Sequence, residues 1–300
     1  MKITLHLGAH KTGSTYVQDA LGLSHAHLAA NHRGFVPLQA FRAGFTSRSR
    51  KPGPGLDEAR SYLSSVIDDM QRAQPKVRRL ILSDENLLGI PAEIVDAGVL
   101  YPSLEERLEL IADCLQPHEV KVLLCLRHPA EFLRSIFTEN LRLSPPEFTP
   151  VERVRAAWSP EGASWVPVVE RIRKLFPQSP LYLWDFAQFR KDPKGMLERI
   201  SDCRFDTDPK PAVWSRRQGL SQSATEVLLD IGAREGGAAV RRAAHDVARA
   251  HPLTDGNWTY AMWSRDEVAA YQKQFSADLA TLNRTDGIRF LRPRPPQSGA

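Results

Sequence analysis

Cysteine is scarce: the 300 residues carry three, Cys114, Cys125 and Cys203. Their odd number and wide spacing exclude a disulfide framework and offer no metal-binding pattern, so a reducing, cytoplasmic setting is the simpler expectation. Cys114 and Cys125 stand in apolar runs and read as small core residues. Long apolar runs are missing as well. No stretch approaches the roughly 20 residues that span a bilayer, so no integral membrane segment is expected. The opening MKITLHLG is too short for a signal-peptide core and runs straight into a loop. With no secretory signal, the sequons at Asn257 and Asn283 read as chance matches. Charge of one sign is in slight excess only: 40 Lys and Arg against 35 Asp and Glu give a formal +5. An excess of that size suits an anionic ligand and does not point to nucleic acid.

What is present is ordinary globular composition, 42% hydrophobic and 25% charged, enough for one large domain over residues 1–291. Apolar runs at 3–7, 77–82, 120–126 and 181–184 predict strands. The run 120–126 is continuous, the pattern of a strand buried on both faces. Helical spacing predicts helices over 15–23, 56–73, 104–115 and 166–176, and one starting at Pro129 that carries Phe132, Leu133, Ile136 and Phe137. Pro145 and Pro146 are expected to stop the last of these. Residues 42–55, basic and rich in Gly, Pro and Ser, read as a mobile loop. After about residue 215 the pattern is mostly helical, and RPRPPQSGA at 292–300 reads as a disordered tail. Strands alternating with helices predict an α/β fold: a P-loop-like parallel sheet flanked by helices on both faces, with a helical C-terminal part.

Two constellations carry chemistry. The first is GAHKTGST, residues 8–15, lying between a predicted strand and a predicted helix. It matches both glycines of the Walker A frame, and Thr15 stands where Ser or Thr belongs. The lysine does not: Ser14 occupies its place, and Lys11 lies inside the loop. Such a loop can curl its amides around an anion, with Lys11 adding a point charge. The second begins at Arg127, on the edge of the 120–126 strand, with Ser135 eight residues on. An Arg and a Ser so placed can grip another phosphate at the carboxyl ends of the strands.

Together, HKTGST and RHPAEFLRS resemble the cofactor signature of sulfotransferases that use 3′-phosphoadenosine 5′-phosphosulfate, and look like its bacterial branch. The likeness covers residues 1 to about 140, extends weakly through LYLWDF and RRQGLSQS, and then fades. It implies a 5′-phosphosulfate site at His10, Lys11, Thr12, Gly13, Ser14 and Thr15, and a 3′-phosphate site at Arg127 and Ser135. It implies in-line transfer to an acceptor hydroxyl or amine, Lys11 stabilising the leaving group, and no metal. His128 departs from the Asp or Asn common before the proline. The segment that closes over the nucleotide is not obvious; Arg216 and Arg217, in RRQG, are the candidates. Glu85, in SDEN after the second predicted strand, is the candidate base, with His10 and His128 in reserve; the competing reading is that Asp84 or Glu85 caps the next helix.

The expected partner is a small-molecule or glycan acceptor. Arg42, Arg48, Arg50 and Lys51 are candidate contacts for an acidic glycan, and Trp158, Trp165, Trp258 and Trp263 for a sugar. Two alternatives stay open. LILSDE resembles a Walker B strand, which suits an ATP-dependent kinase or ATPase; a nucleotide-binding interaction protein without turnover is the other.

Overall fold

The computed structural model describes residues 1–50, 53–143, 147–209 and 219–292. Pro145, Pro146, Arg216, Arg217 and the tail from residue 293 lie outside the described residues, so the expectations placed on them do too.

Among the described residues, six strands form one sheet in the order β2-β3-β1-β4-β5-β6, and every neighbouring pair is parallel. They are β1 (Lys2–His6), β2 (Arg33–Phe35), β3 (Arg79–Ser83), β4 (Glu119–Leu126), β5 (Leu181–Asp185) and β6 (Ile288–Phe290). Alternate residues of β4 feed two separate cores. Val120, Val122, Leu124 and Leu126 join one, while Leu123 and Cys125 join the other. Helices Pro54–Ala73, Leu104–Leu115, Pro129–Leu143 and Val166–Leu175 cover the first face through Leu63, Leu108, Ile136 and Val169. Helices Ser14–Leu23 and Pro193–Ser201 cover the second through Val17, Leu21, Met196 and Ile200. Each such aliphatic side chain contributes about 1.5–3 kcal/mol by leaving water. Truncating a fully buried one, as in Leu124→Ala, removes about 2–5 kcal/mol.

The four predicted strands are the four inner strands of the sheet, β3, β1, β4 and β5. β2 and β6 are additions, three residues each at the two edges. β6 adds one short strand to the mostly helical C-terminal part. The helices Gln222–Glu235 and Gly237–Ala250 are followed by Arg265–Asn283, which buries Tyr271 and Phe275 in the first core, and the chain then re-enters the sheet.

One correction concerns 42–55. Arg42–Thr46 is a π-helical turn continuing the short helix Leu38–Phe41, and Gly44, Phe45 and Thr46 are buried. The rings of Phe41 and Phe45 stack at 5.5 Å, and Gly44 lies against Tyr62, where a Cβ would not fit. Two aromatics four residues apart have a helical face to bury, and that outweighs the loop-forming composition around them. Among the described residues no helix is long and apolar enough to cross a membrane.

Candidate active site

The central strands β1, β3 and β4 end at His6, Ser83 and Leu126, and the segments that follow them surround one cavity of about 930 Å³. His10, Lys11, Gly13, Ser14, Thr15, Glu85, Arg127 and Ser135 all line it. Residues 120 positions apart in sequence therefore meet because three parallel strands finish at one edge of the sheet, where open α/β sheets bind ligands.

The first wall is the loop after β1. Gly13 has φ of +84° and precedes the helix Ser14–Leu23, whose start no side chain caps. A Cβ on Gly13 would lie 2.5 Å from a Phe189 ring carbon, so both the backbone angle and the space demand glycine. Helix dipoles and first-turn N–H groups favour an anion at such a terminus. Lys11 is also left-handed, with φ of +62°, a strained state for a side-chain-bearing residue. Its carbonyl accepts a 2.6 Å hydrogen bond from Arg127 Nη1, and its Nζ pairs with Glu139 at 3.2 Å. Thr12 does not line the cavity: its hydroxyl donates back to the Ala9 carbonyl at 2.5 Å, and the side chain is buried within the loop.

Arg127 forms the second wall. Its side chain is 11% exposed, pairs with Glu131 at 3.3 Å and packs over the Phe186 ring at 5.0 Å. Trp165 donates its indole N–H to the Arg127 carbonyl at 2.8 Å, fixing the backbone there. Burial depresses the guanidinium's proton affinity, and Glu131 opposes this. Among the described residues, Nε of Arg127 is buried with no hydrogen-bond partner. A buried donor left unsatisfied in this way suits an anionic ligand. Ser135 stands two turns along the helix Pro129–Leu143, which presents Glu131, Arg134, Ser135, Thr138 and Glu139 to the cavity. That three-and-four spacing is one helix face.

The third wall follows β3. Asp84 caps the 3₁₀ turn Glu85–Leu87 by accepting the Asn86 N–H at 3.0 Å, and it receives two hydrogen bonds from Arg42. Glu85 is therefore not the cap. Its Oε2 accepts from Gln18 Nε2 at 2.9 Å and its Oε1 from Arg42 at 3.3 Å. Burial pushes the Glu85 carboxyl up, but the charge on His10, the Gln18 amide and Arg42 outweigh it and hold it below the ordinary carboxylate range. Gln18 also donates to Ser83 Oγ at 3.2 Å, and that hydroxyl meets His6 Nδ1 at 2.8 Å. His6, stacked on Trp184, is pushed down by burial to about 4, with Glu85 opposing.

The reserve bases fare differently. The Tyr101 hydroxyl accepts the His10 backbone N–H and lies 3.2 Å from His10 Nδ1, while His10 Nε2 lies 3.1 Å from Asn86 Oδ1. Both ring nitrogens are engaged, and Nε2–H donates to the Asn86 side-chain oxygen. Burial lowers the proton affinity of His10, and Glu85 opposes this. His128 does not line the cavity; its ring edge meets Phe275. Of the basic loop, Arg42 is tied to Asp84 and Arg48 to Glu58. Trp158 and Trp165 are core residues, and Trp263 binds the Ala130 carbonyl, whereas Trp258 is 67% exposed beside the cavity-lining Thr259.

Sequence reasoning missed Arg42 as the clamp on Asp84 and Glu85, and it missed Arg134, Glu139, Arg190 and Arg241 as cavity walls. The signal for Arg134 and Glu139 was available: both share the helix face of Ser135. Among the described residues, six cationic side chains (Lys11, Arg42, Arg127, Arg134, Arg190 and Arg241) line the cavity against three carboxylates, Glu85, Glu131 and Glu139. The cavity is thus built for an anion, and no cluster of His, Cys, Asp or Glu among the described residues could hold a metal ion.

No family model matches the chain, and no curated protein matches it. Among solved structures it is similar to a crystal structure of a sulfotransferase from Alicyclobacillus acidocaldarius, with 17% sequence identity, 81% of this chain and 95% of that chain covered, and a TM-score of 0.40.

Proposed function

We propose that the protein is a sulfotransferase that moves a sulfuryl group from 3′-phosphoadenosine 5′-phosphosulfate to a hydroxyl or amine acceptor. The observation that supports it is the meeting of Lys11, Arg127, Ser135 and Glu85 on one cationic cavity at the carboxyl ends of the central strands. The residues fit such a donor. A cradle closed to any Cβ at Gly13, an uncapped helix start and a buried, unpartnered Arg127 Nε all favour a polyanion.

The donor supplies an activated sulfuryl group, whose transfer leaves adenosine 3′,5′-bisphosphate. In this reading Lys11 and the loop amides stabilise the charge that grows on the leaving phosphate, the interaction that counts most in the transition state. Arg127 and Ser135 hold the 3′-phosphate and so set the nucleotide's register. Glu85, anionic at neutral pH, takes the acceptor's proton, with Gln18 and Arg42 fixing the carboxylate's orientation. The acceptor remains a small molecule or a glycan, and Trp258 at the rim offers a flat apolar face to a sugar.

An ATP-dependent reading needs the acidic residue after β3 to hold Mg²⁺. Asp84 is fully buried and committed to Arg42 and the Asn86 N–H. Calorimetry with adenosine 3′,5′-bisphosphate, and separately with ATP plus Mg²⁺, tests the class. Tight binding of the bisphosphate alone, followed by sulfuryl transfer to a panel of alcohols, amines and glycans, is the expected outcome. Tight binding of ATP alone would overturn it.

A further inference from the structure

Glu139 has no part in the transfer as described, yet its carboxylate is the group that holds Lys11. The two side chains meet at 3.2 Å, and they are 24% and 22% exposed respectively. Partial removal from water strengthens such a pair over a surface one. Glu139 lies one helical turn beyond Ser135 on the cavity face of the helix Pro129–Leu143. Neighbours four apart on a helix are about 6 Å apart, so the carboxylate stands beside the place assigned to the donor's phosphates. The backbone of Lys11 cannot move aside, because the Arg127 bond to its carbonyl fixes it. Only the lysine side chain is left to choose between partners.

We infer that Glu139 is a positioning residue that competes with the donor's phosphosulfate for Lys11, keeping nucleotide affinity low and helping the spent bisphosphate to leave. The inference rests on the reading of Lys11 as the donor's counter-charge. An arriving anion must displace the carboxylate from the ammonium. When the product goes, Glu139 recaptures Lys11. Burial disfavours the Lys11 charge, and Glu139 supports it. Arg142 and Arg127 are the other charged groups that bear on Lys11, and both oppose its protonation.

The test is Glu139→Gln, equal in shape and lacking the charge. Adenosine 3′,5′-bisphosphate, ATP plus Mg²⁺, and inorganic pyrophosphate are titrated calorimetrically into wild type and variant, each also in a Lys11→Met background. The expected result is about tenfold tighter binding of the bisphosphate by Glu139→Gln, vanishing in the Lys11→Met background. Loss of a merely structural residue would weaken binding, so a gain separates the two roles. Glu139→Asp, which retains the charge, should stay near wild type. Unchanged or weaker binding by Glu139→Gln would overturn the inference, and so would equal tightening without Lys11. Should wild type prefer ATP, the sulfotransferase reading fails, while the same comparison on ATP still decides the role of Glu139.

Discussion

The guanidinium of Arg127 donates a 2.6 Å hydrogen bond to the main-chain carbonyl of Lys11, joining the end of β4 to the left-handed residue of the anion loop. One side chain therefore serves two places: it faces the proposed 3′-phosphate site and it braces the residue proposed to stabilise the leaving group. Arg127→Ala should weaken adenosine 3′,5′-bisphosphate by about 10- to 100-fold, the range of a charge-assisted hydrogen bond. Adenosine 5′-phosphate should lose much less, and turnover should fall as the loop relaxes. Calorimetry on both nucleotides checks this; equal losses would leave Arg127 as a loop brace that does not read the 3′-phosphate.

Lys11→Ala should separate chemistry from binding. The charge matters most as the leaving group develops, so turnover should fall by about 10²- to 10³-fold, the effect of removing one oxyanion donor. Bisphosphate affinity should change by far less, because the charge that Lys11 answers is largest in the transition state. A variant with normal turnover would remove Lys11 from the mechanism.

Glu85→Gln should keep the fold and the bisphosphate affinity while lowering turnover by about two to four orders of magnitude. The wild-type acidic limb should lie below the ordinary carboxylate range, because the folded protein favours the ionised form of Glu85. The substitution should abolish that limb. Asp84→Asn supplies the contrast: it strikes the cap and the Arg42 pair, so the thermal midpoint should drop. Normal turnover in Glu85→Gln would send the search for the base elsewhere, with His10 disfavoured because both its ring nitrogens are engaged.

His6 makes a prediction about acid stability. Its folded-state value of about 4 lies below the ordinary 6.5, so the folded protein favours the neutral ring. The associated stability is fully present above pH 6.5 and is lost as pH falls towards 4, on the order of 3 kcal/mol in all. His6→Asn, which retains a polar atom for Ser83, should flatten stability over that window. Chemical denaturation at several pH values measures the slope; an unaltered slope would place the acid sensitivity elsewhere.

The sheet was legible because its inner strands are apolar and long enough to stand out, β4 above all. β2 and β6 were not, since three residues with Gly34 or Arg289 at the middle carry no periodicity. The loop at 8–15 was readable because glycine and lysine there answer to backbone angle and charge, which leave local traces. Thr12 shows the limit: its type suggested ligand contact, but the Ala9 carbonyl, three residues away in the same tight turn, claims its hydroxyl. Arg42 was read as a candidate glycan contact on a mobile loop because its partner Asp84 lies 42 residues on. The same holds for Glu139, whose partner lies 128 residues back. Contacts that close only through the sheet leave no mark on either segment alone.

The strand order also dictates a history. β1 leaves the ribosome ahead of the other strands of its sheet, yet its two neighbours are β3 and β4, and the brace on Lys11 comes 116 residues after that lysine. The anion loop thus stays without its brace until well past residue 127 of a growing chain. Parallel pairings this distant make folding slow and leave the first strand's apolar residues open to wrong partners meanwhile. The proposed nucleotide would secure the finished protein and give no help to a chain whose loop still lacks its brace.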